Sequence, residues 1–357
     1  MMFTCAAGGD PAPHHGGGRR VSDGNKTLTV DIHCHCMVQA AADMIKEATR
    51  DNYRPPLSYG GDALTQKVNE QQIIDVAPKM NSIEVRLADM DAMGVDIQAV
   101  SPAPFQYFYW AEPEVGRDAA RMINDHLANI AATHPERFVA LGTVPMQDPE
   151  MAVAELERCV KKLGMRGVEL STNVNGDELS DPKFEKFYAK AEALDTLLFL
   201  HPAGFTHPQR FTGHYFANLI GHPLESSLAI GYLVFDGVLD RYPGLKICVA
   251  HGGGYAPAYA GRMDHGYHAR PDCRQHISQP PSTYLKKLYY DTMVFEPDQL
   301  AFLIEKYGAD HILLGTDYPF DMGHYEPKQL VGKVPNLSDA DRNRICGGNA
   351  ATLLGLD

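Results

Sequence analysis

From residue 28 onward the chain alternates between two hydrophobic patterns. Short apolar, β-branched runs occupy 28–32, 97–101, 138–144, 167–170, 197–200, 245–250, 288–291 and 312–315, and each predicts a strand. Between them lie longer segments whose apolar residues recur at helical spacing, as over 119–132. Asp148-Pro149-Glu150 supplies an N-cap, a proline at the first helical position and an acidic first turn, and Gly164 closes that helix. Asp181-Pro182 repeats the device ahead of 184–194, and 223–239 and 297–307 read as two more helices.

Strands alternating with helices mean βαβ units and a parallel sheet. Eight of them fit a closed (β/α)8 TIM barrel, with a doubly wound open sheet as the rival architecture. The discriminating feature is where polar residues fall, because a barrel collects its chemistry at the C-terminal ends of several strands. No composition break marks a second domain, so 27–357 reads as one barrel domain. Segment 38–85 is long, polar and interrupted by Pro and Gly, and reads as a lid-like insertion after strand one. Residues 1–26, rich in Gly, Pro and His, read as a flexible N-terminal tail without the apolar stretch of a secretory signal.

Composition narrows the class. With 44% hydrophobic residues in 357, a large core is affordable in apolar material, while no apolar run approaches the ~20 residues of a membrane helix. A formal charge of −13 disfavours a nucleic-acid partner, which needs a basic surface. Seven cysteines, odd in number and scattered, do not form a disulfide framework and fit a cytoplasmic protein.

The sixteen histidines carry the chemistry. Strand one ends Val30-Asp31-Ile32-His33-Cys34-His35, and residues i and i+2 of a strand share a face, so His33 and His35 point together into the barrel. Asp31 reads as structural, and Cys34, between the two histidines, faces the other way and reads as core. Strand five ends at His201-Pro202, strand six at His251 before Gly252-Gly253-Gly254, and strand eight at Asp317. Four strand ends with a ligand or proton carrier on one barrel face argue for a metal site. His33, His35, His201 and Asp317 form a nitrogen-rich set that suits Zn2+, with Mn2+ or Fe2+ as alternatives, rather than Ca2+ or Mg2+. An open position on the ion would carry a water of lowered pKa. His251 is then either a further ligand or an acid/base beside that water.

These stretches resemble the amidohydrolase superfamily and, within it, the aminocarboxymuconate-semialdehyde decarboxylase branch. The resemblance rests on Asp31–His35, Met90-Asp91-Ala92-Met93-Gly94-Val95-Asp96, Val144–Asp148, His201-Pro202, the His251 triple-glycine block, Gly261-Arg262-Met263-Asp264 and Gly315–Phe320. It spans roughly 28–355. It implies a distorted TIM barrel with a mononuclear, usually zinc, site and non-oxidative loss of CO2. It places His33, His35, His201 and Asp317 as ligands and His251 as acid/base. Arg262 falls on a position that reaches a neighbouring subunit's site to pair with a substrate carboxylate, which implies a homodimer or higher homo-oligomer. Phe320 falls on an aromatic beside the substrate. Arg54, in Asn52-Tyr53-Arg54-Pro55, resembles a second carboxylate-binding arginine. The insertion is longer than the type enzyme's, and 203–207 differ from it. The expected substrate is therefore a different small aromatic or unsaturated carboxylic acid.

The weaker signals are read without chemistry. The three glycines lack the Lys-Ser/Thr partner of a phosphate loop and read as a tight turn giving His251 room. His265, His268 and His276 read as a solvated or interface run. Phe105, Tyr107, Phe108, Tyr109 and Trp110 either wall the pocket or bury against the lid. The competing activity is a hydrolase or hydratase that uses a metal-bound hydroxide on the same scaffold.

Overall fold

The computed structural model describes residues 28–50, 61–204 and 208–356. The expected tail at 1–26 lies outside them. Ten strands occur among the described residues: β1 (Val30–Cys36), β2 (Ile97–Pro102), β3 (Phe138–Gly142), β4 (Gly167–Leu170), β5 (Asn173–Val174), β6 (Asp177–Glu178), β7 (Leu197–Leu200), β8 (Lys246–Val249), β9 (Tyr289–Asp291) and β10 (Ile312–Leu313). Eight form one sheet in the order β1-β2-β3-β4-β7-β8-β9-β10, with every adjacent pair parallel. The sheet closes on itself. Ile32 N donates to Leu314 O at 2.9 Å and His35 N to Tyr318 O at 2.7 Å. The architecture is a (β/α)8 barrel, and the open-sheet rival is excluded.

Two apolar layers hold it. Inside, Val30, Ile32, Ala99, Leu141, Phe199 and Leu313 interdigitate, joined by Ala350 and Leu353 from the closing helix Asn349–Leu353. That helix seals the end opposite the mouth, where a Cβ on Gly347 would stand 2.0 Å from Leu28 O. Outside, helices turn their apolar stripes to the sheet. The helix Pro113–Thr133 buries Ala119, Ile123, Leu127 and Ile130 at intervals of four, four and three. Asp148 caps the helix Pro149–Lys161 by accepting from Met151 N at 2.9 Å.

The structure departs from the sequence pattern in three places. β1 extends to Cys36, so the His-x-His pair lies inside the strand rather than beyond it. Its register with β2 shifts between Asp31 and Cys34, which lets Ile32 and His33 both turn inward while Asp31 turns to Gln98 and Thr316. The hairpin β5–β6 was not anticipated, although Asn175-Gly176, at φ +57° and +93°, is a strong hairpin signal. Within segment 38–85 the described residues are mostly helical: Gln39–Ala48, Ala63–Asn81 and the start of Ile83–Met93.

Candidate functional site

The C-terminal ends of four barrel strands meet at one point. His33 and His35 come from β1, His201 follows β7, and Asp317 follows the short β10. One donor atom from each can be chosen so that all four lie within 4.8 Å of one another. Asp317 Oδ1 lies 3.3 Å from His33 Nε2 and 3.2 Å from His35 Nε2. The His201 ring is 4.9 Å from that of His33 and 4.8 Å from that of His35, centroid to centroid. All four residues are buried.

Burial makes this arrangement informative. His33 Nε2, His35 Nε2, both ring nitrogens of His201 and Asp317 Oδ1 are buried without a hydrogen-bond partner among the described residues. Orphaned polar atoms cost free energy, and here they converge on one point. Three imidazoles and a carboxylate in this spacing fit a divalent cation.

The backs of the rings are fixed. His33 Nδ1 lies 2.6 Å from Asp291 Oδ2, and His35 Nδ1 lies 3.1 Å from Pro102 O. Each contact leaves Nε2 to face the centre. Glu169 on β4 stands 3.8 Å from His35 Nδ1 and accepts a hydrogen bond from Tyr107 OH. Asp31 accepts from His33 N, Gln98 and Thr316, and burial pushes its carboxyl up to about 6. Asp31 therefore braces the β1–β10 closure and does not face the centre.

Electrostatics follow the same geometry. Burial pulls the His33 imidazole down, but the Asp317 and Asp291 carboxylates outweigh it and hold the ring well above the ordinary value. Burial would raise Asp317, yet the surrounding imidazoles hold it well below the usual carboxylate range. His201, buried beside His35 and His33, lies well below the ordinary imidazole value.

His251 sits in the turn after β8, at φ +56°, followed by three glycines of positive φ. A Cβ on Gly254 would stand 2.1 Å from Pro223 O, so the turn requires glycine there. His251 Nε2 lies 3.6 Å from Asp317 Oδ2, and its Nδ1 has no partner among the described residues. Asp317 is itself at φ +55°. Non-glycine residues in this region are strained, and they gather at functional centres.

Two cavities meet at the cluster. One is lined by His201, Phe320, Phe105 and the inserted helix Ala63–Asn81, the other by His251, Tyr255, Phe295 and Phe302. Asp317, His222, Asn218 and Met322 border both. The second cavity encloses about 600 Å³. The Phe320 ring lies 5.4 Å from that of His35.

Other candidates fall elsewhere. Arg262 is exposed on the helix Ala260–Ala269 and lines neither cavity. Arg54 lies outside the described residues. Of the aromatic run, only Phe105 lines the pocket; Tyr107 and Tyr109 stack at 5.6 Å and are buried behind it. His265, His268 and His276 are exposed, and among the described residues they join no metal-binding group.

The sequence pattern passed over three groups: Asp291, Glu169 and His222. Asp291 ends β9 and Glu169 lies in β4, so strand-end position, the signal that found Asp317, could have found Asp291. His222 opens the helix His222–Phe235, and no local motif distinguishes it. Its ring stands 6.1 Å from that of His251, and burial with the His251 charge pulls it down to about 3.

Asp291 has two tasks. Oδ2 holds His33, while Oδ1 accepts from Gly252 N at 2.8 Å and Met293 N at 3.1 Å. It ties His33 to the turn that carries His251. Asp291→Asn is expected to weaken metal affinity about 10- to 100-fold. Competition with a chromogenic chelator measures this, and unchanged affinity would rule out the orienting role.

Comparison with known proteins shows the family and the fold. The family model described as Amidohydrolase matches residues 30–356. A 2-amino-3-carboxymuconate-6-semialdehyde decarboxylase from Dictyostelium discoideum is 38% identical over 275 residues, covering 77% of each chain. Two solved structures share the fold at 24% identity. A 5-carboxyvanillate decarboxylase from Sphingomonas paucimobilis superposes with a TM-score of 0.81, covering 93% of this chain and 100% of that one. A dihydroxybenzoic acid decarboxylase from a Polaromonas species, solved with bound manganese and the inhibitor 2-nitroresorcinol, superposes with a TM-score of 0.78, covering 93% and 98%. With a cluster of three histidines and an aspartate at the mouth of a closed barrel and a family match over almost its whole described length, the chain belongs to the amidohydrolase family, in the branch that resembles aminocarboxymuconate-semialdehyde decarboxylase.

Proposed function

We propose that this chain is a metal-dependent, non-oxidative decarboxylase of a small aromatic or unsaturated carboxylic acid. The observation that carries the reading is His251 held 3.6 Å from Asp317, at the edge of a four-ligand cluster and facing a largely apolar cavity. The Dictyostelium relative and the family membership support it. His33, His35, His201 and Asp317 would hold the ion. The nitrogen-rich set favours zinc, and manganese is the alternative carried by the Polaromonas structure. A divalent cation here supplies Lewis acidity toward a substrate oxygen and orients the carboxylate.

The chain's own residues supply the rest. Phe320 offers an aromatic face beside His35. Apolar walls around His251 exclude water from the leaving carboxylate. The carbon–carboxylate bond breaks, CO2 departs, and the electron pair stays on carbon. A proton from His251 then fills the vacated position. Arg262, exposed on the outer helix, would reach a substrate carboxylate only in a second copy, so a homodimer is part of the proposal.

The test is turnover of a carboxylic-acid panel by metal-loaded protein in deuterated water, with sedimentation of the same sample. CO2 release with one deuteron on the vacated carbon supports the reading. A product that carries oxygen from labelled water, without CO2, would identify a hydrolase or hydratase and overturn it. A sedimenting monomer would remove the role given to Arg262.

A further inference from the structure

The helix Ala63–Asn81 has its polarity reversed. Leu64, Val68 and Ile74 face outward, 70%, 50% and 66% exposed. Thr65, Asn69 and Gln72 face inward, 9%, 7% and 6% exposed. Positions 65, 69 and 72 follow at i, i+4 and i+7, so they form one stripe. A helix that only covered a core would bury the leucine and isoleucine and leave the amides in water. This stripe instead lines the cavity that contains His201, Asp317 and Phe320.

Thr65 is accounted for locally, since its hydroxyl donates to the capping Asp62 at 3.0 Å. Gln72 is not. Its amide oxygen has no hydrogen-bond partner among the described residues, and its amide nitrogen has only the neighbouring Asp321 carboxylate, which it does not meet in good hydrogen-bond geometry. A buried amide left in this state is costly unless a ligand completes it.

Resting on the decarboxylase reading, we propose that Gln72 and Asn69 are specificity-determining residues that recognise a neutral hydroxyl or amino group on the substrate. A side-chain amide pairs a donor with an acceptor, which matches a group that both donates and accepts. A second carboxylate suits the stripe poorly. Among the described residues, no lysine or arginine lines this cavity, and Asp321 flanks Gln72 on its outer side. The inserted helix thus sorts substrates by their uncharged polar substituents, while the metal cluster engages the carboxylate common to all of them.

The test is calorimetric binding to zinc-loaded protein of benzoate, 3-hydroxybenzoate, 4-hydroxybenzoate and 4-aminobenzoate, none of which carries a hydroxyl next to the carboxylate. At least one substituted ring is expected to bind wild type about tenfold tighter than benzoate. Gln72→Leu and Asn69→Leu are expected to erase most of that preference and leave benzoate affinity and metal content unchanged. Gln72→Met, which keeps length and flexibility, guards against a folding defect and should behave as Gln72→Leu does. The proposal is overturned if wild type shows no preference, if it binds none of the four, or if the preference survives in every variant. The readout needs no turnover. A protein that prefers the substituted rings but releases no CO2 from any acid keeps the specificity stripe and loses the decarboxylase reading. The converse result does the opposite.

Discussion

Asp317→Asn is expected to lower kcat/KM by about 10³-fold, or about 4 kcal/mol of transition-state stabilisation. Asp317 contacts His33 and His35 through one oxygen and His251 through the other, at 3.2–3.6 Å. Asparagine keeps the shape and removes the charge. The cluster then loses its one anionic member, and His251 loses the carboxylate that stands 3.6 Å from its Nε2. Burial alone would raise this carboxyl, and the surrounding imidazoles instead hold it well below the usual range in its ionised form. The near-isosteric change should leave the barrel folded, which a thermal melt checks. Activity within tenfold of wild type would remove Asp317 from both roles.

His33→Ala combined with His35→Ala is expected to abolish metal binding. Elemental analysis should find about one divalent ion per wild-type chain and almost none in the variant. Chelation of wild type should reproduce the loss of activity, and zinc or manganese should restore it there but not in the variant. Metal at 100 times its Kd should add about 2.7 kcal/mol to wild-type stability.

The pH dependence has a definite sign. In the metal-free chain, the carboxylates of Asp317 and Asp291 overcome burial and hold His33 protonated well above the ordinary 6.5. Metal uptake must expel that proton, so affinity rises with pH and should be visibly weaker at about pH 6 than at about pH 8. For the metal-free chain, the raised His33 contributes stability that is fully present below its unfolded value and lost as pH rises through its folded value. Titrations of metal at the two pH values decide the point. Equal metal content in wild type and variant would make the strand-end histidines structural.

Period and position made much of this molecule legible. Alternating βα patterning set the barrel, because a parallel strand must bury both faces and announces itself as a short apolar run. The cluster was legible because a barrel places strand ends on one face, so His33, His201 and Asp317 could be grouped across almost three hundred residues without coordinates. Asp291 ended an expected strand as plainly as Asp317 did, yet its function lies in a 2.6 Å contact with His33 that no sequence distance encodes. His222 had no local signal at all.

By itself, the sequence determined the strand–helix alternation, the closed barrel class and the convergence of three histidines and an aspartate. These follow from backbone periodicity and side-chain chemistry, which are local properties. Only the tertiary structure decided which nitrogens were left without partners and which face of the inserted helix turns inward. It also decided that Arg262 stands outside the cavities of its own chain. Those outcomes depend on how distant segments pack and how water is excluded between them. The amides of Asn69 and Gln72 are ordinary surface residues in the sequence, and they become a recognition stripe only where packing takes them out of water.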